Sequence, residues 1–411
     1  MRANLLEGVR VVELGSAWAG PFGARLLADL GADVIKVEAP RRPDLVRFSV
    51  YLDEDPGEIP WERGAHYQKF SRNKRGCVID IGTERGFDVF TRLLDESDIL
   101  IENNTPRVRK QFGLTDEFFA ERLPHLVVIS MPGFGNSGPY RDYLAYGITI
   151  EGFAGLSSET GYADEGRPAR STIPYGDPVA ASYGTLSALA GLRARRQGEA
   201  GSVVELSQQE TLASLLPDLF LRAQLDGSDP APAGNDDPWI FAPHGTFRTR
   251  GGGPGDYVAL AVETDAQWNA LCELVGRPDL QPLNSHEERD GASVRQAIEA
   301  WTSERERDRV VDTLQEAGIP VGPVLSPKEM SEQEQVVARG VYEPVEHPLY
   351  RTIPYARAPF LFPGQETRGD LHAPLFGEHN REVFGGLLGM GDAEINELYE
   401  LGVTADRPDM A

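Results

Sequence analysis

The chain is poor in cysteine and lysine and has no long apolar run. Its two cysteines, Cys77 and Cys272, lie far apart and in no metal-ligand spacing. A disulfide scaffold is therefore not expected, nor a zinc site, and no metal is called. No stretch approaches the roughly 18 apolar residues needed to cross a bilayer, so no membrane association is expected. The opening "MRANLLEGVRVVELG" has no apolar core followed by a small-residue cleavage site, and a cytoplasmic location is the expectation. Five of the 40 basic residues are lysine (Lys36, Lys69, Lys74, Lys110, Lys328), leaving 35 arginines against 64 acids and a net charge of −24. That balance excludes sequence-independent nucleic-acid binding, which needs a cationic face. It suits a GC-rich genome or a salt-loving host, and it bears on solubility and self-repulsion rather than on fold. There is no P-loop and no G-x-S-x-G elbow, and none of the seven histidines stands in an acid/base pattern.

What is present is globular. The 411 residues exceed one ordinary core, so two domains are expected, and 40% hydrophobic with 9% aromatic residues rules out disorder. Val9 to Leu14 is an apolar run between glycines, a buried-strand signal; "PFGARLLADLG" has helical spacing, and "ADVIKVE" reads as a second strand. The alternation continues with a helix over 84–95, a strand over 98–102, a helix near 116–122, a strand over 126–130, a long helix from 178 to Gly198, a strand over 202–206 and a helix from 208. Such strand–helix alternation predicts a parallel α/β sheet. After Gln224 the texture changes to a Pro/Gly/Asp linker. A hairpin follows around "GTFRTRGGGPGDYVALAV", then helices near 265–275, 292–301 and 304–317, and a strand in "GIPVGPVLS". Residues 326–380 read as an irregular connection, and the tail as two short helices.

Three stretches carry chemistry. In the first turn, "ELGSAWAGPFG", Gly15, Gly20 and Gly23 sit where a dinucleotide-binding turn would be, with Glu38 ending the second strand. The fit to G-x-G-x-x-G is poor, because the first spacing is five residues and contains Trp18. Two basic islands, "KFSRNKR" (Lys69, Arg72, Lys74, Arg75) and "NNTPRVRK" (Arg107, Arg109, Lys110), suit a ligand with several phosphates or are simply solvated turns. Asp177, in "YGDPVAA", stands before a helix and next to Pro178, the pattern of an N-cap. On pattern alone a pure cap is the favoured reading. The roles of cap and reagent are compatible, because a helix N-terminus favours carboxylate over carboxylic acid and only the carboxylate is a nucleophile. The small residues Gly176, Ala180, Ala181 and Gly184 are expected to leave room for a substrate.

In these same stretches the sequence resembles the class III CoA-transferases, the CaiB/BaiF-type acyl-CoA transferases. The segments that carry the resemblance are "GVRVVELGSAWAGPFGARLLADLGADVIKVE", "NKRGCVIDIGTERG", "DILIENNTPRV", "SMPGFGNSGPYRD", "YGDPVAASYGTLSALAGLRARRQGEAGSVVELSQQE", "AGIPVGPV" and "APLFGEHNREVFGGLLGMGDAEINELYELGV", in one order along almost the whole chain.

The resemblance implies an α/β fold with a large Rossmann-like domain (1–225 with 381–411), a linker (226–245), a small α/β domain (246–325) and an extended linker (326–380) returning to the first. Two subunits would interlock, as a homodimer or, as in some relatives, a heteromer. It implies transfer of CoA between carboxylic acids, through an aspartyl anhydride and an aspartyl-CoA thioester on Asp177. No permanently bound cofactor is implied, since acyl-CoA and free acids are the substrates, and succinyl-CoA is the favoured donor. The implied CoA contacts are Ser16, Ala17 and Trp18; Arg41, Lys74 and Arg75; Ile79 and Asp80; Asn103, Asn104 and Thr105; Arg107, Arg109 and Lys110; Tyr143 and Tyr146.

The chain departs from the pattern in three places. Ala39 stands where many relatives carry a base, Gln111 stands where an arginine is usual, and "GNDDPW" occupies the region of the glycine lid found in oxalate-using members. The alternatives are an α-methylacyl-CoA racemase-type enzyme and a non-catalytic subunit of a heteromer. The racemase would need a His-Asp pair where Tyr146 and Gly147 stand, and tyrosine's ordinary pKa near 10 suits proton shuttling poorly.

Overall fold

The structure is a computed structural model that describes residues 4–162, 167–227, 232, 234–235, 241–363 and 371–410. Five short runs of β-branched and leucine residues, and one that ends in Gly-Cys-Val, form the strands of a parallel sheet: β1 (Arg10–Leu14), β2 (Asp33–Glu38), β3 (Arg75–Val78), β4 (Ile99–Glu102), β5 (Val127–Ser130) and β6 (Val203–Glu205). Their order is β3-β2-β1-β4-β5-β6, and every pairing is parallel. The strand order reverses between β1 and β4, where open α/β sheets take their ligands at the carboxyl ends of the strands.

Both faces of the sheet are covered, so its strands are apolar on both sides. One face, with Val12, Ile35, Leu100 and Val128, packs on helix Glu84–Asp95 and on the C-terminal tail through Val383, Phe384, Ile395 and Leu398. The other, with Val11, Val34, Ile99 and Ile129, packs on helix Ala19–Asp29 and the long helix Gly176–Arg196. These two helices approach closely: a Cβ on Gly23 would lie 3.2 Å from the Ala181 carbonyl, and Thr185 Oγ1 donates to Gly23 O at 3.2 Å. The small residues of the long helix therefore serve packing, which corrects the expectation that they leave room for substrate. A side chain at Gly184 would strike Met131, one at Gly176 would strike Ile150, and Ala180 and Ala181 are wholly buried.

The expected elements form within a few residues of their predicted bounds. Not foreseen were β3, the helices Ala65–Ser71, Pro106–Gln111 and Gly147–Phe153, and an antiparallel hairpin, Tyr342–Val345 with Ile353–Ala356. The chain divides into two compact units: Met1–Ser157, Arg170–Ser228 and Val341–Ala411 in one, Ser158–Ala169 and Asp229–Gly340 in the other. The boundaries thus differ from those expected. The stretch 326–380 is split, with helices Pro327–Glu332 and Glu334–Ala338 in the second unit and the hairpin in the first. Within the expected linker 226–245, residues 228–231, 233 and 236–240 lie outside the described residues, as does most of "GNDDPW".

The second unit has an antiparallel sheet, β7 (His244–Arg248), β8 (Tyr257–Ala261) and β9 (Val321–Pro323), over a core centred on the fully buried Trp268. The "RGGGPGD" run is the β7–β8 turn, with Gly251 and Gly252 at φ of 121° and 87°, where a Cβ would be strained.

Candidate active site

The site grows from a buried charge cluster beneath the first turn. Glu13 in β1 accepts from Lys36 Nζ at 2.7 Å and Lys74 Nζ at 2.6 Å; all three side chains are inaccessible. Lys36 also donates to Gly15 O at 3.0 Å and pairs with Asp44 at 2.8 Å. Asp44 Oδ1 in turn accepts from Ser16 Oγ at 3.1 Å and from Ala17 N at 2.9 Å, and Ala17 adopts a left-handed φ of 68°. Interior charges persist only when paired and hydrogen-bonded. Here the pairing holds the turn after β1 from below. From the side, Asn103 at the end of β4 accepts from Ser16 N and donates to Ser16 O, each at 2.9 Å. Gly15 and Gly20 let the turn fold on itself against Asn103, since a Cβ on either would meet the other's Cα at 3.1 Å. The glycines that loosely suggested a dinucleotide fingerprint are therefore used for chain-to-chain contact.

Asp177 answers the question its sequence raised. The long helix starts at Gly176 with Tyr175 as N-cap, and no side chain caps it. Asp177 lies in the first turn, buried, with the backbone N–H of Ala19, the first residue of a different helix, near enough to favour its ionised form. Burial pushes its carboxyl up to about 6, the Ala19 N–H pulls it back, and the Glu151 carboxylate raises it further. Glu151 is itself buried and fixes the segment before Asp177, accepting from Tyr175 N at 2.9 Å and Ser171 Oγ at 3.0 Å. Gly147 leaves room for the carboxylate, because a Cβ there would run into Asp177 Oδ2 and Pro174. Position 147 therefore cannot carry the acidic partner that a racemase would need without displacing Asp177.

Asp177 opens onto a cavity of about 450 Å³ at the switch point. Of the residues expected to contact the ligand, Ser16, Ala17, Trp18, Asn103, Asn104, Thr105, Tyr143 and Tyr146 line it together with Asp177. A second cavity of about 290 Å³ shares Ser16, Leu45, Asn104 and Val108 with the first and extends the groove past β2 and β3. Ile79 lines it, with Val37, Ile81 and Phe112 supplying further apolar wall.

Most of the expected cations are elsewhere, a correction to the reading of the basic islands. Lys74 is enclosed by Glu13 and by Pro21 O at 2.7 Å, and burial brings its ammonium down to about 8. Arg72 is buried against Asp29 at 2.9 Å. Arg75 stands at the start of β3, the opposite end of the sheet from the groove, paired with Asp33 at 2.6 Å and Glu382 at 2.9 Å. Arg109 is buried against Glu102 and Asp116. Arg107 and Lys110 are exposed and line neither cavity, and Asp80 accepts from Gly82 N within its own turn. Arg41 points away to Asp409 at 3.1 Å, whereas its neighbour Arg42 lines the second cavity. Sequence reading missed His66, Arg170 and Gln208 in the first cavity. Only the fold brings them to Asp177, and no local motif marks them.

A doubly covered parallel sheet with a groove at its switch point, and a buried carboxylate at the groove's end, defines a Rossmann-like ligand-binding enzyme. Residues 6–380 match the family model described as CoA-transferase family III, and the chain belongs to that family. It is an enzyme of the CoA-transferase type (EC 2.8.3), a class III, CaiB/BaiF-family member. It is 32% identical over 95% of its length, and 96% of the relative's, to the succinyl-CoA–D-citramalate CoA-transferase of Chloroflexus aurantiacus. It is 31% identical to the formyl-CoA:oxalate CoA-transferase of Streptomyces coelicolor, over 98% and 100%. A crystal structure of a CaiB/BaiF family protein from Brucella suis superposes with a TM-score of 0.80 at 27% identity, covering 92% of this chain and 98% of that one. Among the described residues no group of His, Cys, Asp or Glu could hold a metal, and no helix is long and apolar enough to cross a membrane.

Proposed function

We propose that the enzyme moves CoA from a donor acyl-CoA, with succinyl-CoA the favoured donor, to a second carboxylic acid by ping-pong transfer on Asp177. The carboxylate attacks the thioester carbonyl, the C–S bond breaks, and CoA leaves as thiolate, giving a mixed anhydride. The thiolate attacks Asp177 Cγ and releases the donor acid, leaving an aspartyl-CoA thioester. The acceptor carboxylate attacks Cγ and expels thiolate. The thiolate then takes the acyl group from the new anhydride and regenerates the Asp177 carboxylate. A carboxylate needs no base to act as nucleophile, and its acyl derivatives stay activated.

The observation that carries this reading is the Asp177 carboxylate itself. It is buried, free of any capping duty and raised to about 6, so it remains ionised at neutral pH yet more basic than a solvated aspartate. The joined cavities suit an elongated ligand, with Arg42 beside the second one available for a phosphate group and the apolar residues Val37, Ile79 and Phe112 for an adenine. The working form we propose is a dimer, for which the exposed Leu186, Leu221 and Leu225 supply apolar surface.

Intact-protein mass spectrometry with acyl-CoA donors tests the reading. A CoA adduct on Asp177 is expected, which hydroxylamine should convert to a hydroxamate and borohydride to an alcohol at that residue, each with release of CoA. It should be absent in Asp177→Ala and nearly absent in Asp177→Asn. Full transfer activity in Asp177→Ala would overturn the reading.

A further inference from the structure

We infer that Arg170 selects the acyl group, and that the acids exchanged are short dicarboxylates whose second carboxylate pairs with its guanidinium. The inference rests on the transferase reading above. Among the residues lining the Asp177 cavity, Arg170 alone carries a permanent positive charge. The His66 imidazole is pushed below its usual range by burial and by Lys69. Lys69 lies over the Trp18 and Phe70 rings, 5.4 Å and 5.2 Å from their centroids, and does not line the cavity.

Arg170 also differs from the arginines buried beside the sheet. Arg25, Arg47, Arg72 and Arg109 are buried in ion pairs. Arg170 is exposed and, among the described residues, has neither an ion pair nor a hydrogen bond. In a chain of net charge −24, an arginine with no ion pair among the residues lining the nucleophile's cavity calls for an anion.

The cavity's other walls make the choice sharper. Leu45, Val46, Trp18 and Phe70 are apolar or aromatic, Asp177 and the nearby Glu151 are negative, and Ser16, Asn103, Asn104, Thr105 and Gln208 are polar but uncharged. A second carboxylate would be desolvated without a partner against the apolar walls and repelled beside Asp177, and the uncharged polar residues offer it hydrogen bonds but no counter-charge. Against Arg170 it meets a planar fork that matches its two oxygens. A monocarboxylic acyl group gains nothing from that fork.

The experiment compares succinyl-CoA with butyryl-CoA, which ends in methyl where succinyl ends in carboxylate. Binding of each to Asp177→Asn protein is measured by calorimetry, with and without Arg170→Ala. The expected result is a loss of about 10- to 100-fold for succinyl-CoA and a change within about twofold for butyryl-CoA, with Arg170→Lys recovering part of the loss. An equal loss for both thioesters would place Arg170 on the CoA portion they share, and no loss for either would leave it outside the site. Either outcome overturns the inference. Arg170 is exposed, so its removal is not expected to unfold the chain, which circular dichroism checks. Acylation of wild-type Asp177 by either thioester is scored separately. If neither acylates it, the transferase reading fails while calorimetry still decides the role of Arg170.

Discussion

Asn103 clasps Ser16 with both ends of its side-chain amide, accepting from the Ser16 N–H and donating to the Ser16 carbonyl, each at 2.9 Å. The clasp ties the end of β4 to the turn after β1 across the point where strand order reverses. Asn103→Ala removes both bonds and leaves two backbone groups to water. We expect a stability loss of about 1–2 kcal/mol in urea unfolding, and a rise in KM for acyl-CoA larger than any fall in kcat. A KM indistinguishable from wild type would show that the turn keeps its shape without the clasp.

The raised carboxyl of Asp177 sets a pH dependence. The proposed attack requires the carboxylate, so the rate of Asp177 acylation should fall about tenfold per pH unit below about 6 and level off above about 7. Rapid-quench measurement of adduct formation between pH 5 and 8 checks this; a flat profile would contradict it.

The same group affects stability with a definite sign. Its folded value, about 6, lies above its ordinary 3.8. The folded state therefore favours the protonated form. That contribution is complete below about pH 4 and is lost as pH rises through 6, leaving a penalty on the order of 3 kcal/mol at neutral pH. Asp177→Asn, neutral throughout, should be more stable than wild type at pH 8 by up to that amount, with the gap closing towards pH 4.5. Urea titrations at the two pH values read the difference. An Asn variant less stable than wild type at pH 8 would be the contrary result.

Gly147 tests the space around the proposed nucleophile. Gly147→Ala places a methyl group against Asp177 Oδ2 and Pro174. Overpacking of this kind typically costs about 1–3 kcal/mol, and displacement of a reacting group by an ångström lowers rate by about 100-fold. Single-turnover acylation should therefore fall by about that factor, with CoA binding much less affected.

Lys36 tests the cluster under the first turn. Lys36→Met leaves Glu13 with one partner and Asp44 without its ammonium, both buried. Breaking one side of a buried pair typically costs about 3–5 kcal/mol. The variant should unfold at markedly lower urea, and light scattering of wild type and variant should separate loss of fold from loss of the expected dimer.

Much of the fold was legible. Glu84–Asp95 and Asp116–Arg122 form helices at the predicted positions, because each has a threonine whose side chain accepts from the helix's first turn. The apolar runs of β1, β2, β4 and β5 are strands because both their faces are buried. β3 escaped because its four residues, Arg-Gly-Cys-Val, show neither alternation nor a long apolar run. It becomes a strand only by pairing with β2.

Periodicity, caps and turn residues act between near neighbours, so the chain by itself determined its alternating elements and its parallel sheet, whereas local pattern at 177 pointed to a cap and only the family resemblance pointed to a nucleophile. Charge pairing acts between residues far apart in the chain, so only the tertiary structure decided which charges do what. It turned Lys74 and Arg109 inward to Glu13 and Glu102, and it put Arg42 and Arg170 among the residues lining the groove. It also gave Asp177 the backbone N–H of Ala19, 158 positions away in the chain, in place of a cap. A buried ion must find its partner wherever the fold provides one, and nothing local to a lysine or an arginine says whether that partner will be a carboxylate of the core or a ligand.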